Sequence, residues 1–445
     1  MKSAIRICLL LSALLALVLS LSACAASEKG EVVGELVFTS RGDGTCAVVD
    51  VGGASSVTDI VIPERSPSGE LVAMIGNYAF ERCRSLKSVV IPTSVKYIGE
   101  YAFLKCKSLT SVTFVDGGDC YGIGAGAFSG CKSLTSITLP ATVRSIGGLA
   151  FFKCKSLTSI VIPAALERIE DYVFYKCKSL ETVTFADGSA CGEIGSGAFF
   201  KCKSLTSIVI PKSVGSIGEY AFEDCKSLEA VTFAEGSTCG GIGMAAFWDC
   251  KALTSIALPA SVSYIESDAF NGCTALETVT FAEGSRCSII GPYTFLGCSA
   301  LTSIALPERI TEIYYGTFYG CFALRSVTIP EGVLRIGEEA FAYCSALEEI
   351  VIPETVESIG AAAFLRCSSL KSVVVPSSVV SIGSAAFKKC TSLTSIVIPT
   401  SVRSIDEKAF SGCDALTIYT PYTAAPLGWK NWQKGFEGRV EWGAK

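Results

Sequence analysis

The chain has 445 residues, half of them hydrophobic, which is ample for a large buried core. Its formal net charge of −5 gives no indication of a general polyanion-binding protein. It contains 22 cysteines, 24 phenylalanines and no histidine, which excludes Ser-His and Cys-His catalytic triads and removes the commonest metal ligand.

Residues 1–23 are predicted to be a lipoprotein signal peptide and not part of the fold. Lys2 and Arg6 precede an apolar run over residues 8–20, which is too short for a comfortable membrane span. The run ends in the sequence LSAC, which resembles a bacterial lipobox and implies cleavage before Cys24 and lipid on that residue. The alternative is an ordinary secretory peptide cut nearby, with Cys24 left free.

Residues 24–56 are predicted to hold the anchor and a capping hairpin. Two alternating runs flank a turn within residues 34–53, and the turn contains the tripeptide Arg-Gly-Asp at 41–43. This tripeptide matches an integrin-binding motif, but Gly-Asp-Gly is also favourable hairpin-turn chemistry.

Residues 57–416 are predicted to form a solenoid of about 15 units. One cysteine recurs in every unit at steps of 23 or 25 residues, and a phenylalanine lies three positions before each one. The cysteines are Cys83, Cys106, Cys131, Cys154, Cys177, Cys202, Cys225, Cys250, Cys273, Cys298, Cys321, Cys344, Cys367, Cys390 and Cys413. A unit this short cannot bury its own apolar face and must stack on its neighbours.

Within one unit, the segment 205–211 alternates like a strand and ends at Pro211, which cannot donate to a ladder. A corner, a second short extended piece and a helical turn that places Phe222 and Cys225 on one face are expected to follow.

These residues resemble the bacterial BspA-like, or Treponema-type, leucine-rich repeat. The resemblance rests on the leucine, two strand aliphatics, the proline, the Ile-Gly and Ala-Phe pairs and the cysteine, repeated over most of the chain. It implies a curved right-handed solenoid that is extracellular or surface-exposed, and that often is proposed to bind host or bacterial surface components. It implies neither a particular partner nor a catalytic residue.

Residues 417–445 are predicted to be an aromatic cap. Trp429, Trp432, Phe436 and Trp442 fall within this segment. An uncapped solenoid end would expose a wide apolar patch, so covering the core is favoured over a carbohydrate cleft.

The repeated cysteines are predicted to be small buried hydrophobes. Zinc sites need clustered pairs such as Cys-x-x-Cys, which the chain lacks. A disulfide ladder is the remaining alternative, because neighbouring coils lie close enough to be bridged. No cofactor and no metal are therefore expected.

Four further cysteines are expected to replace a core valine, and each follows a loop with two extra residues. The cysteines are Cys120, Cys191, Cys239 and Cys287, and the loops cover residues 115–119, 186–190, 234–238 and 282–286. The loops are expected to project from one edge and to make that edge acidic.

The outward positions of the strands form the candidate binding face, here called the strand face. It consists of small hydroxyl-bearing residues that recur from coil to coil: Thr110, Ser111, Thr113, Thr135, Ser136, Thr158, Ser159, Thr206, Ser207, Thr254 and Ser255. Selection for strand propensity alone is the competing explanation.

Lysines that flank the cysteines in the first half form a second candidate, the basic ridge. It consists of Lys105, Lys107, Lys153, Lys155, Lys176, Lys178, Lys201 and Lys203. Such a ridge suits an anionic glycan or envelope surface. Acidic residues nearby, among them Glu100, Asp171 and Asp224, are an alternative set of partners.

The sequence therefore predicts a lipid-anchored bacterial cell-surface protein that binds a macromolecule, a host or bacterial surface protein or glycan, and acts as an adhesin. It would lie outside the cytoplasm, in the outer membrane if the organism has one, and would not bind nucleic acid. The alternative is a structural envelope protein without a specific host ligand. An enzyme is the weakest hypothesis, because no catalytic or phosphate-binding motif is present.

Overall fold

Each repeat forms one turn of a β-solenoid of about 17 turns. The structure, a computed structural model, describes residues 31–33, 35–51 and 56–444. The predicted signal peptide and Cys24 lie outside the described residues. The repeat solenoid expected from the cysteine spacing is confirmed.

One turn begins with a strand, Ser207–Ile210, whose residues alternate between exposed and buried. Pro211 ends that strand, and its carbonyl accepts a hydrogen bond from the Val214 amide at 3.1 Å, which closes the corner. A two-residue strand, Ser216–Ile217, follows and buries Ile217. The alternation places one side of every strand in the core and the other in solvent.

The first strand of each turn belongs to the long row, which runs the length of the rod. Its members are β4 (Asp59–Val61), β6 (Ser88–Ile91), β8 (Ser111–Phe114), β10 (Ser136–Ile137), β12 (Ser159–Ile162), β14 (Thr182–Phe185), β16 (Ser207–Ile210), β18 (Ala230–Phe233), β20 (Ser255–Leu258), β22 (Thr278–Phe281), β24 (Ser303–Ala305), β26 (Ser326–Thr328), β28 (Glu349–Ile350), β30 (Ser372–Val374), β32 (Ser395–Val397), β34 (Thr417–Thr420) and β35 (Arg439–Trp442).

The second strand of each turn belongs to the short row. Its members are β5 (Leu71–Ile75), β7 (Tyr97–Ile98), β9 (Gly122–Ile123), β11 (Ser145–Ile146), β13 (Arg168–Ile169), β15 (Glu193–Ile194), β17 (Ser216–Ile217), β19 (Gly241–Ile242), β21 (Tyr264–Ile265), β23 (Ile289–Ile290), β25 (Glu312–Ile313), β27 (Arg335–Ile336), β29 (Ser358–Ile359), β31 (Ser381–Ile382) and β33 (Ser404–Ile405).

Neighbouring turns pair in parallel and in register, so equivalent residues stack along the rod. In the pair β16–β18, for example, Ile208 lies opposite Val231 and Ile210 opposite Phe233. The long row comprises sheets of 4, 8 and 5 strands, and the short row lies in sheets of 7, 6 and 5 strands. A feature that recurs in the repeat therefore becomes a continuous line on the surface.

The segment that carries Phe222 and Cys225 is not the helical turn expected from the sequence. Tyr220 and Asp224 adopt left-handed conformations, with φ of 56° and 61°, which interrupts a helix. The Phe222 amide donates to the carbonyl of Ala246 in the next turn at 2.7 Å, whereas the Cys225 amide donates to Phe222 at 3.1 Å. Amides thus alternate between their own turn and the next one, and the segment is a chain of tight turns.

The phenylalanines form a continuous stack through the core. Consecutive ring centroids from Phe80 to Phe410 lie 4.8–5.6 Å apart, with interplanar angles of 1–10°. All of these rings are fully buried. Burying a side chain of this size contributes about 1.5–3 kcal/mol each, so the stack is a major source of stability.

The repeated cysteines are free thiols in the core. Every repeat cysteine from Cys106 to Cys413 donates a hydrogen bond from Sγ to the backbone carbonyl of the phenylalanine one turn earlier, at 2.9–3.2 Å. Cys83 belongs to the first turn of the series and is half-buried. The buried position predicted for these residues is confirmed from Cys106 to Cys413, and their reduced state stays a prediction.

The two ends of the core are covered by segments that differ from the repeat. At the start, β2 (Leu36–Ser40) and β3 (Thr45–Asp50) form an antiparallel hairpin that joins β5 through β3, and β1 (Glu31–Val33) pairs with β2. At the other end, Trp429 and Trp432 are buried, and the Trp432 ring stands edge-on to the last stacked ring, Phe410, at 6.3 Å. Within the described ranges, no helix is long and apolar enough to cross a bilayer.

Candidate binding surfaces

The strand face is a line of small polar side chains along the long row. Of its eleven residues only Ser111 is half-buried; the others are exposed. Valines share this surface, since Val161 and Val209 point outward and expose 55% and 58% of their area. The face is therefore a mixed surface of hydroxyls and β-branched groups.

Three of the six threonine hydroxyls of the strand face already bind the backbone. Thr158 Oγ1 donates to the carbonyl of Thr135 at 3.3 Å, and Thr135 Oγ1 donates to that of Thr110 at 3.4 Å. The first member, Thr110, donates to the carbonyl of Lys87 at 2.9 Å. These three hydroxyls present acceptor lone pairs and methyl groups to a ligand, rather than free donors.

Two of the inserted loops wall grooves on the strand face. The loop over 115–118 and the segment 136–142 enclose about 650 Å³, and the loop over 186–189 and the segment 207–212 enclose about 690 Å³. Ser111, Thr113, Ser136 and Ser207 of the strand face line these grooves, and the other seven residues lie outside them. The two grooves are built from equivalent positions of the repeat.

The aromatic side chain in each groove was not predicted from the sequence. Phe114 and Phe185 end strands of the long row, lie half-buried against the core and line the two grooves. They pair with Ile91 and Ile162 in the preceding turns. An aromatic side chain therefore replaces an aliphatic side chain where the loop that follows the strand has two extra residues. The signal was present, because each Phe directly precedes its inserted loop.

The tips of the inserted loops are open to solvent. Gly117, Gly188, Gly236 and Gly284 have φ of 70–83°, and no atom lies within 4 Å of where a Cβ would be. The acidic residues Asp116, Asp187, Glu235 and Glu283 next to these tips are exposed. The four cysteines that follow the loops are buried, as expected for replacements of a core valine. Burial raises the pKa of Cys120, Cys239 and Cys287 to about 11, which leaves them as neutral thiols.

The basic ridge lies on the turn segment, apart from the strand face. Lys105, Lys107 and Lys178 are exposed, whereas Lys153, Lys155, Lys176, Lys201 and Lys203 are half-buried. Its first part borders a groove of about 430 Å³, here called the basic groove, whose floor is formed by Ser129, Gly130 and Phe152. The seven charged residues that line the basic groove are all cations: Arg82, Arg84, Lys105, Lys107, Lys132, Lys153 and Lys155.

Three aromatic side chains underlie the ridge, and the sequence analysis missed them too. Phe152, Tyr175 and Phe200, here called the aromatic shelf, stack with centroid distances of 5.1 and 4.7 Å. The ammonium groups of Lys153 and Lys176 lie 4.5 and 4.6 Å from the centroids of the first two rings, and that of Lys201 lies 4.8 Å from the third. Each aromatic residue directly precedes its lysine in the sequence, which was the available signal.

The acidic residues named as alternative partners neutralise only the far end of the ridge. Asp224 forms ion pairs with Lys201 at 3.9 Å and with Lys226 at 3.2 Å. Asp171 instead pairs with Arg168, at 3.4 Å. Across the described ranges, no lysine of the ridge from Lys105 to Lys178 forms an ion pair.

Burial and the neighbouring cations affect the titration of Lys153. The pKa of Lys153 is lowered, first by burial and then by the charges of Lys176, Lys155, Lys132 and Lys105. The basic groove is thus a site of unbalanced positive charge in a chain whose net charge is negative.

The Arg-Gly-Asp tripeptide forms the tip of the first hairpin. The Arg41 amide donates to the Thr45 carbonyl at 2.9 Å, and an Asp43 carboxylate oxygen accepts a hydrogen bond from the Thr45 amide at 3.0 Å. Hydrogen bonds from Thr45 also lower the pKa of Asp43. These contacts give the tripeptide a turn-forming role.

Six copies of the BspA type leucine rich repeat region match the sequence over residues 73–191, 192–321 and 288–417. The chain belongs to the BspA-type leucine-rich repeat family. A leucine-rich repeat protein from Bacteroides ovatus is 30% identical with a TM-score of 0.74, and the match covers 87% of this chain and 99% of that one. No curated protein matches the sequence.

A second solved structure to which the chain is similar is a leucine rich cell surface protein from Faecalibacterium prausnitzii. It is 28% identical with a TM-score of 0.43, and the match covers 89% of this chain and 95% of that one. Family membership accounts for the repeat and the fold, and it assigns no ligand to either the strand face or the basic ridge.

Proposed function

We propose that this BspA-type protein is a lipid-anchored bacterial cell-surface protein whose strand face binds a macromolecular partner, a host or bacterial surface protein or glycan, as an adhesin. The observation that carries the proposal is the pair of grooves on that face. Both have the size of a ligand-binding cleft, and both combine a half-buried Phe with hydroxyl and acidic groups. An isolated surface irregularity would not recur at equivalent positions.

The geometry of the rod favours a long, repetitive partner. Stacked turns give the long row, on which the strand face lies, a length of roughly 70 Å over about fifteen turns at about 4.8 Å per turn. Weak contacts repeated along one rigid surface add to a high overall affinity when the partner can engage them at the same time. A fibrous protein or a polysaccharide meets this condition.

Anchoring rests on the sequence before the solenoid. The lipobox-like LSAC places a lipid on Cys24, and the hairpin that begins at Leu36 caps the solenoid only a short distance further along the chain. Acyl chains hold a protein to a bilayer without spanning it. The rod would then extend from the outer membrane of a two-membrane organism, or from the single membrane of another.

The proposal is of a binding protein and not an enzyme. The chain has no histidine, and in the part that the structure describes no three His, Cys, Asp or Glu side chains are placed to hold a metal ion. The buried thiols are neutral, because burial raises the pKa of Cys177 and its equivalents in neighbouring turns.

The test measures binding of the full chain, solubilised in detergent, to immobilised host matrix proteins and to bacterial envelope fractions. Ser136→Lys with Ser207→Lys places an ammonium group in each groove, and Thr158→Lys with Thr206→Lys and Thr254→Lys places three along the strand face. Both variants are expected to abolish binding, because a charged side chain would be buried without a partner. Binding of the parent should change little with salt, because shape and burial carry it.

The matched control is Thr274→Lys with Thr391→Lys, which adds the same charge at exposed positions directly after a repeat cysteine. It should bind like the parent. Equal loss in the control, or strong salt sensitivity of the parent, would remove the strand face as the site. Failure to bind any matrix or envelope component would favour the structural alternative.

A further inference from the structure

The basic groove concentrates seven cations, and among the described residues a carboxylate pairs with only one of them, Arg82, whose partner Glu81 lies 3.1 Å away. Five lysines line it, and within residues 31–33, 35–51 and 56–444 none of them has a carboxylate partner. Their mutual repulsion is unfavourable for the folded chain. The same turns could carry neutral residues, as later ones do: Thr274, Ser299 and Ser345 follow their cysteines where Lys107, Lys132 and Lys155 follow theirs.

The backbone conformation of the residue before each repeat cysteine is a second unfavourable contribution to stability. The residue before each repeat cysteine is left-handed, and five repeats place glycine there: Gly130, Gly272, Gly297, Gly320 and Gly412. Lys105 and Lys153 hold the same conformation, with φ of 59° each. A side chain in this region costs about 1–2 kcal/mol relative to ordinary backbone, whereas glycine adopts it freely. The lysines therefore occupy positions that stability alone would not give them.

The lysine side chains are held in place rather than free in solvent. Lys153 and Lys176 are half-buried, and both extend over rings of the aromatic shelf. Such contacts contribute about 0.5–1 kcal/mol each at exposed sites and fix the position of the charge. A ligand thus meets cations that need little further ordering, which favours binding.

The groove and the ridge follow the long axis of the rod. Pairs of cations flank the cysteine in three turns, Lys105 with Lys107, Lys153 with Lys155 and Lys176 with Lys178, and the turn between the first two pairs carries Lys132 alone. The segment ends where Asp224 and Asp249 occupy the left-handed position and pair with Lys226 at 3.2 Å and Lys251 at 3.7 Å. The four turns of Cys106, Cys131, Cys154 and Cys177 therefore carry lysines that form no ion pair in the described part of the chain, over roughly 14 Å at about 4.8 Å per turn.

We propose that the basic groove and the ridge that continues it bind a linear anionic polysaccharide along the axis of the solenoid. Lysine ammonium groups recognise charge without the paired geometry that arginine imposes, so carboxylate, sulfate and phosphate substituents are all suitable. The site is separate from the strand face and does not depend on the function proposed for it.

Two other polyanions fit the geometry less well. Single-stranded nucleic acid is bound by bases that stack on open aromatic faces, but the rings of the shelf stack on one another and are covered by lysines. An anionic bilayer is flat and cannot reach the floor of a groove formed by the buried Ser129 and Gly130. A flexible, narrow chain can enter it.

The experiment measures binding of the detergent-solubilised full chain to heparin, to polygalacturonate and to neutral dextran. Heparin and polygalacturonate should bind and dextran should not. The logarithm of the affinity should fall linearly with the logarithm of salt concentration, because counterions are released. Lys132→Gln with Lys155→Gln should weaken binding roughly tenfold, as expected for the loss of two contacts of up to about 1 kcal/mol each.

The matched control is Lys226→Gln with Lys251→Gln, which removes two lysines from the same position of the repeat. These lysines already pair with Asp224 and Asp249, so binding should be unchanged. Both variants should have the same urea midpoint of unfolding as the parent, because all four lysines lie at the surface. Equal weakening by the control would show that net charge alone attracts the polymer, and would overturn the proposal.

Two further results would also overturn it: tighter binding of single-stranded DNA or of phosphatidylglycerol vesicles than of either polysaccharide, and no binding of heparin or polygalacturonate at about 0.05 M salt. The strand-face variant Ser136→Lys with Ser207→Lys leaves the basic groove intact and should still bind heparin. Loss of host or envelope binding with retention of heparin would therefore separate failure of the proposed function from failure of this site.

Discussion

The Sγ atom of Cys225 donates a hydrogen bond to the backbone carbonyl of Phe199, one turn earlier, at 3.2 Å. The two residues belong to different repeats, and both are fully buried. The pairing of Cys and Phe in the sequence thus has two structural roles: the phenylalanine extends the ring stack, and the cysteine satisfies a carbonyl of the preceding turn.

Cys225→Ser should destabilise the protein by about 1–3 kcal/mol. The C–O bond is shorter than the C–S bond, so the hydroxyl oxygen lies further from the Phe199 carbonyl and a more polar group is buried with a poorer partner. Urea unfolding followed by circular dichroism measures the change. Ser227→Ala, in the same turn, is the control and should have little effect. A serine variant as stable as the parent would show that the site tolerates a hydroxyl.

The repeat thiols other than Cys83 should react with a thiol reagent only after unfolding. Of the 20 free cysteines in the described part of the chain, Cys83 alone is half-buried, so it should be the first to be labelled in the native protein. A hydrogen bond with the Cys106 thiol and burial both raise the pKa of Cys83, which keeps that reaction slow at neutral pH. Labelling of the denatured chain should need no reductant. Thiols that appear only after reduction would establish disulfides.

The repeat spacing was enough to predict the solenoid, and the alternation within each strand predicted which side chains are buried. Both signals depend on local periodicity, which a sequence displays directly. The prediction of a helical turn was wrong because the backbone of Tyr220 and Asp224 is left-handed, a conformation that residues other than glycine seldom adopt. Aligning the repeats on their cysteines would have revealed it, since Gly130 and Gly272 occupy the position of Asp224.

The surfaces were predictable in composition but not in shape. The lysines of the ridge and the hydroxyls of the strand face are visible in the sequence. The grooves depend on how far one turn extends beyond the next, and the aromatic shelf depends on side chains of separate repeats that meet only in the folded rod. Each aromatic residue of the shelf precedes a lysine in its own repeat, but the stacking of the three rings and the shape of the grooves do not follow from that pattern.

Glu223 should make the stability of the protein depend on pH. It lies in the row of the aromatic shelf, one turn after Phe200, and burial, opposed by Lys201, raises its pKa from 4.5 to about 7. The folded state then binds more protons than the unfolded state between these values, so stability should fall as pH rises from about 4.5 to about 7.

Glu223→Gln removes this group, and the variant should exceed the parent in urea midpoint at about pH 8 but not at about pH 5. Glu219→Gln, an exposed site in the same turn, controls for the loss of one negative charge. A constant difference between Glu223→Gln and the parent across this pH range would show that Glu223 does not titrate there.

Cys24→Ala should release the protein from the membrane fraction and leave the signal segment uncleaved by the lipoprotein peptidase. Cys8→Ala, within the apolar run, is the matched control and should be processed normally. Immunoblots of membrane and soluble fractions report both effects. Unchanged partitioning and processing of Cys24→Ala would exclude lipid attachment at this residue.

The hydrogen bond from each thiol to a carbonyl has a consequence for how the length of the rod can change. A scaffold held by disulfides must gain or lose cysteines in pairs, because an odd number leaves one thiol unmatched. Here each repeat cysteine from Cys106 to Cys413 needs only the backbone of the turn before it, so duplication or deletion of a single repeat leaves the remaining thiols of this series with an acceptor. This hydrogen bond also requires no oxidation step when the rod assembles.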